Sequence, residues 1–158
     1  MGQVVSQNLN NISLPKGYAL SDIIVVQDSP TVARTYAETV SLIFSNYMPR
    51  ENEALLAQKA FDDNDMDELA AIDPLITSYK TIVSRPLATP APRAIAQYHL
   101  NLTNGFNIAL YNAQSLRHLD TDPVRGFSAV SLELVGIQTI SSAISNLQGY
   151  FASQGIPF

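Results

Sequence analysis

The chain has no cysteine, two histidines, and one charged residue between Arg125 and its C-terminus. The first absence removes disulfides, thiolate metal sites and cysteine nucleophiles together. The second limits imidazole chemistry to His99 and His118. On a single helix their spacing puts them roughly 28 Å apart, so they share no metal ion within one chain. Basic residues are also scarce, nine against fourteen acidic, for a net charge of -5. They stand singly from Lys16 to Arg125. Phosphate binding needs clustered Lys and Arg, so nucleic acid is excluded as an expected partner. No G-x-S-x-G, P-loop, G-x-G-x-x-G or H-E-x-x-H occurs, which leaves no motif for catalysis or for a cofactor.

The third absence concerns the last third of the chain. From Asp122 to Gly155 almost nothing is charged, yet Gln138, Thr139, Ser141, Ser142, Ser145, Asn146 and Gln148 interrupt the run. A membrane span needs about 20 predominantly apolar residues, and these interruptions argue against one. The expectation is a central helix covered by its own protein. With 46% hydrophobic and 15% charged residues in 158, the chain has the composition of one globular domain with a sizeable core.

Helix punctuation is dense. Ser29-Pro30 combines an N-cap with a proline at the first helical position, and Val32, Tyr36, Val40, Ile43, Phe44 and Tyr47 share a face up to Pro49. A second helix fits Glu51 to Phe61, its first-turn acids Glu51 and Glu53 favoured by the macrodipole. Asp65 to Glu68 has the form of a capping box. From Leu69 to Val83 one apolar phase runs through Pro74; it reads as one helix kinked at Pro74, in preference to a short turn followed by a fresh helix capped by Asp73. Pro86, Pro90 and Pro92 mark a connection. A fourth helix runs from Pro92 to Leu119, with asparagines off its apolar face and Gly105 as its weak point. A fifth runs from Pro123 to about Ser153, with Gly155 as C-cap. Its apolar arc covers more than half the circumference, which implies packing on at least two neighbours, with helices one and three as covers. The patch Ile23–Val26 reads as a pinned extended segment, because no partner strand is evident.

The expected fold is therefore all-α: residues 1–28 extended or loose, then residues 29–158 as an up-and-down helical bundle of four to five helices. The two long C-terminal helices form an antiparallel pair.

Three positions stand out as speculative functional residues. Glu133 is the lone charge of the last helix after Arg125, expected at a rim with Arg34, Arg93 or Arg117 as its partner. His99, beside Tyr98 at the edge of an apolar face, reads as a hydrogen-bonded interfacial histidine. The acidic run Asp62 to Glu68 fails as an EF-hand, because Glu68 and Pro74 stand where Gly and Glu are required. It reads as a solvated loop, and no metal or cofactor is expected. The serine strip of the last helix is either its exposed face or a groove for another helix.

Several stretches together resemble a known group. They are Leu20-Ser21-Asp22-Ile23-Ile24-Val25, Glu53 to Phe61, Ile72-Asp73-Pro74-Leu75-Ile76, and Pro90-x-Pro92 leading to His99-Leu100. Asp122-Pro123, and Tyr150-Phe151 before Gly155-Ile156, complete the set. They resemble uncharacterised helical proteins of small-genome, candidate-phyla bacteria that carry an N-terminal membrane anchor. The likeness spans about residues 18 to 157 and rests on helix punctuation. It implies an extracytoplasmic module of the cell envelope and no activity. Met1 to Leu14 carries no signal-peptide pattern, so membrane attachment would come from an anchor outside this stretch. The functional expectation is a non-catalytic protein-interaction or scaffold domain, with a ligand-sensing bundle as the alternative and an enzyme as the third. A pocket of convergent, strongly perturbed titratable groups would count against the first.

Overall fold

Five helices make up most of the computed structural model, which describes residues 14–158, and three of them begin at a side-chain N-cap. Helix α1 spans Pro30–Tyr47; the Ser29 hydroxyl accepts from the Val32 N–H, and Pro49 follows its C-cap. Helix α2 spans Glu53–Asp62 and is capped by Asn52, whose side chain accepts from the Leu55 N–H. It ends at Asn64, which has φ +52°. There the Asn64 N–H donates to the Phe61 carbonyl and the Asp65 N–H to that of Ala60, the two bonds of a Schellman ending.

The stretch through Pro74 is not one kinked helix. A 3-10 segment, Met66–Ile72, gives way to α3, Asp73–Leu87, with Pro74 in its first turn. Proline costs nothing there, because first-turn N–H groups lack helical partners in any case. The Glu68 carboxylate does not close a capping box on Asp65; it pairs with Lys59. Pro86 falls inside the last turn of α3, so that helix extends further than its prolines suggest.

Helix α4 spans Ala96–Arg117, preceded by a 3-10 turn, Arg93–Ile95, and α5 spans Pro123–Ser153. Helix α5 begins with Asp122 accepting from the Arg125 N–H. It ends in a Schellman motif with Gly155 at φ +65°. The apolar patch near the start does have a partner. Strand β1, Val25–Val26, pairs in parallel with β2, Ala91–Pro92, inside the proline-rich connection. Only two residues pair, too few for periodicity to reveal.

The fold is all-α, with this two-stranded ribbon as its sole sheet among the described residues. The tertiary order differs from expectation in one central respect. Helix α4 is the buried one: His99, Thr103, Asn112 and Ser115 are buried along with its apolar residues. Helix α3 packs on it from one side and α5 from another. Helices α4 and α5 run antiparallel at close range: Gly105 meets Ile140, Gly136 meets Ile108, and Gly126 meets Leu119.

Helix α5 packs mainly on α4; Phe151 near its end stacks on Tyr36 of α1, and Phe127 near its start meets Phe61 of α2. By length and composition it meets the requirement for a membrane-crossing helix despite its polar interruptions, and 22% of its most apolar window is buried. The expectation that helices one and three cover it is thus corrected in part: the first helix meets it at Phe151, and the stretch from Phe127 to Ile137 stays largely exposed. Polarity reports what a residue prefers, and α4 hides its polar groups by bonding them: Thr103 Oγ1 donates to the His99 carbonyl and Ser115 Oγ to that of Tyr111.

The segment before α1 is extended and tied down by α4. The Tyr18 N–H donates to Asn104 Oδ1 at 2.7 Å, and Asn104 Nδ2 donates back to the Tyr18 carbonyl. Asn107 Nδ2 donates to the Lys16 carbonyl, and Asp28 accepts from the Ala94 N–H. The first dozen residues, expected to be loose, lie outside the described residues.

Candidate functional site

Two features of the surface answer to the description of a site. The first is a cavity of about 250 Å³ where α2, α3, α4 and α5 converge after Pro49. Its apolar wall includes Met48, Phe106, Ile137 and Ile140, and its polar groups are Asn52, Glu53, Tyr79, Asn112, Glu133 and Ser141. Glu53 is 3% exposed and accepts from the Tyr79 hydroxyl at 3.0 Å. Burial pushes the Glu53 carboxyl above its ordinary value; its own backbone N–H and Tyr79 pull it back, and the Glu133 charge adds to the rise. Burial, then the Glu53 charge, push the Tyr79 phenol well above its ordinary range.

Glu133 sits half-buried at this cavity and accepts from Asn52 Nδ2 at 3.1 Å. No arginine reaches it among the described residues; Arg117 pairs instead with Asp73 at 2.9 Å. The side chain of Asn52 thus does two jobs, capping α2 through its oxygen and holding Glu133 through its nitrogen. Asn112 braces the same point. With its amide turned to satisfy both groups, it donates to the Ala129 carbonyl and accepts from the Glu133 N–H, bracketing one rung of α5.

The other sequence-singled residues go elsewhere. His99 is fully buried, with Nδ1 at 2.9 Å from the Tyr36 hydroxyl and no hydrogen-bond partner on Nε2. Burial lowers its pKa to about 4; the Pro86 carbonyl works the other way but does not reach hydrogen-bond geometry on Nε2. Tyr98 is partly buried against the main core. His99 lies thirteen positions before Asn112 on α4, about 20 Å along the axis, so it and Glu133 do not share a site. The acidic run is occupied by Lys59, which bridges Asp63 and Glu68. Among the described residues no three His, Asp or Glu side chains converge as metal ligands.

Glu53 is the residue that sequence reasoning missed. A glutamate in the first turn of a helix looks like a solvated dipole partner, and its bond to Tyr79 crosses 26 positions. Local pattern carries no signal for that.

The second feature is the outward face of α5. Phe127, Val130, Leu134 and Ile137 are 60%, 48%, 61% and 51% exposed, and they stand on one stripe about 120° from the face that meets α4. Phe127 stacks loosely against Phe61 of α2, ring centroids 6.3 Å apart. The two rings wall an apolar groove of about 330 Å³ floored by Leu116 and Leu119.

Compared with known proteins, the chain matches no family model, no curated protein and no solved structure.

Proposed function

We propose that the protein is a non-catalytic interaction module, a scaffold domain of the cell envelope, whose working surface is the outward stripe of α5. The stripe carries this reading. Large apolar side chains left together in water mark interaction sites, because covering them is favourable by about 25 cal/mol per Å². The arrangement reads as an up-and-down bundle with one position unfilled, and a partner supplies the missing neighbour. The envelope setting rests on the sequence resemblance alone. The non-catalytic reading is supported by His99, which is sealed in the core beside Tyr36.

A photo-reactive residue at Gln138, beside the stripe, tests the reading in source cells. The expected outcome is a set of crosslinks that Leu134→Glu removes and that the same probe at Glu38 on α1 does not give. Equal crosslinking from both positions would overturn it.

One observation favours a second reading, a ligand-sensing bundle. The cavity holds two carboxylates, Glu53 and Glu133, and no lysine or arginine lines it. A small organic amine would fit that balance. The interaction reading stands ahead because each of these carboxylates already has a partner, Tyr79 for one and Asn52 for the other. In a thermal-shift screen, amines that raise the melting temperature of the wild type but not of Glu53→Gln would reverse that order.

A further inference from the structure

We propose that the α5 stripe closes on a second copy of this chain. The two α5 helices pack antiparallel about a two-fold axis that crosses the stripe level with residue 132 along the helix, Phe127 opposite Ile137 and Val130 opposite Leu134. The inference rests on the stripe being the working surface and adds the identity of its occupant.

Spacing is the first argument. Positions 127, 130, 134 and 137 follow the three-four-three rhythm of a helix-pairing seam, which places successive knobs along one line facing a partner helix. An antiparallel two-fold brings the same patch onto itself, the arrangement that isologous dimers require.

Charge is the second. Each copy carries a net charge of -5, so two copies repel at long range and can meet only over an uncharged surface. The stripe is such a surface, and the exposed residues beside it, Ser131, Gln138 and Ser141, are uncharged. The two charges of α5 are each engaged within the chain, Glu133 half-buried and Arg125 exposed. Glu133 is held by Asn52, and Arg125 bonds Ser115 and lies over the Tyr111 ring. An anionic bilayer, by contrast, calls for Lys and Arg flanking the apolar face, and α5 after Arg125 has none.

Area is the third. With Phe61 and Val124, the exposed side chains offer about 100 Å² each, so about 600 Å² per copy and about 1,200 Å² for the pair, at the lower edge of specific interfaces. A reversible dimer in the micromolar range is the expected state.

The whole chain, followed by sedimentation over about 1–200 µM, is expected to pass from monomer to dimer, a range suited to interfaces of this size. Leu134→Glu is expected to stay monomeric, with an unchanged melting temperature at concentrations where the wild type is itself monomeric, because Leu134 there lies in solvent. The absence of native cysteine permits a register test. Phe127→Cys mixed with Ile137→Cys should oxidise to a mixed disulfide, and neither alone should pair, because like positions would stand about 15 Å apart along the axis.

A wild type monomeric throughout, or disulfides between like positions, overturns the proposed dimer. A monomer that floats with phosphatidylcholine–phosphatidylglycerol vesicles, and loses this with Leu134→Glu, overturns the second copy while keeping the stripe as a working surface. A monomer without vesicle binding, whose Gln138 crosslinks match those at Glu38, removes both readings.

Discussion

A proton on His99 is disfavoured mainly by burial: the ring is fully buried, Nδ1 faces the Tyr36 hydroxyl, and the Pro86 carbonyl offsets the desolvation only in part. Its folded pKa of about 4 lies below the ordinary 6.5, so the neutral ring contributes stability at neutral pH that is lost as pH falls from about 6.5 through 4. Between pH 7 and 4.5 this amounts to about 2 kcal/mol. Glu53 works with the opposite sign. Its raised pKa gives stability that is complete below 4.5 and lost as pH rises through the folded value. The two are separated by variants: urea unfolding of His99→Gln is expected to lose less between pH 7 and 4.5 than wild type, and equal losses would refute the assignment. Tyr79→Phe leaves the buried Glu53 carboxyl without its donor, at an expected cost of about 1–3 kcal/mol at pH 7. Adding Glu53→Gln should recover part of that; a purely additive double variant would show the two residues to be uncoupled.

At the scale of elements, the contact between α4 and α5 is set by glycines. A Cβ on Gly105 would lie 2.6 Å from Ile140 Cγ1 and 3.1 Å from the Ile140 backbone nitrogen. A side chain can swing away; a helix backbone cannot without moving the pair. Gly105→Ala is therefore expected to destabilise by about 1–3 kcal/mol even though alanine is the better helix former, as denaturant titration would show. A stabilised variant would mean that the helices are not in close contact there. From sequence this glycine is a flaw in a helix, because the residue it touches is 35 positions away on another element. The asparagines of α4 teach the same lesson. Read as poor helix formers kept off the core, Asn104, Asn107 and Asn112 are clamps: the first two bond the backbone of the segment at Lys16 and Tyr18, the third that of α5. Helix ends, by contrast, were legible. The limits of α1 and α5 match their Ser29-Pro30 and Asp122-Pro123 signals, because a cap is satisfied within four residues of itself.

For the whole molecule, the balance between one uncharged stripe and a net charge of -5 gives association an unusual salt dependence. Raising NaCl from about 0.05 to about 0.5 M screens the repulsion between copies and leaves the apolar contact intact. The dimer should tighten, as sedimentation at fixed protein concentration would show; weakening would indicate that ion pairs hold the copies together. The candidate cavity, too, belongs to this scale. Asn52, Glu53, Tyr79, Asn112 and Glu133 come from four helices, and of these Glu133 alone stands out in the chain, by its isolation.

What the sequence alone determined is whatever closes over short distances: an all-α class, the caps, the two long C-terminal helices and the unusual apolar arc of α5. What the tertiary structure decided is where each of these faces point. The arc does demand two neighbours; folding supplies α4 along most of the helix and α1 at its C-terminal end, and leaves the stripe from Phe127 to Ile137 largely in solvent. Periodicity measures how much of a helix prefers cover. Which surface provides that cover depends on long-range packing, and here the polar α4 could take the centre because its side chains, His99 Nε2 excepted, bond within it and across to its neighbours.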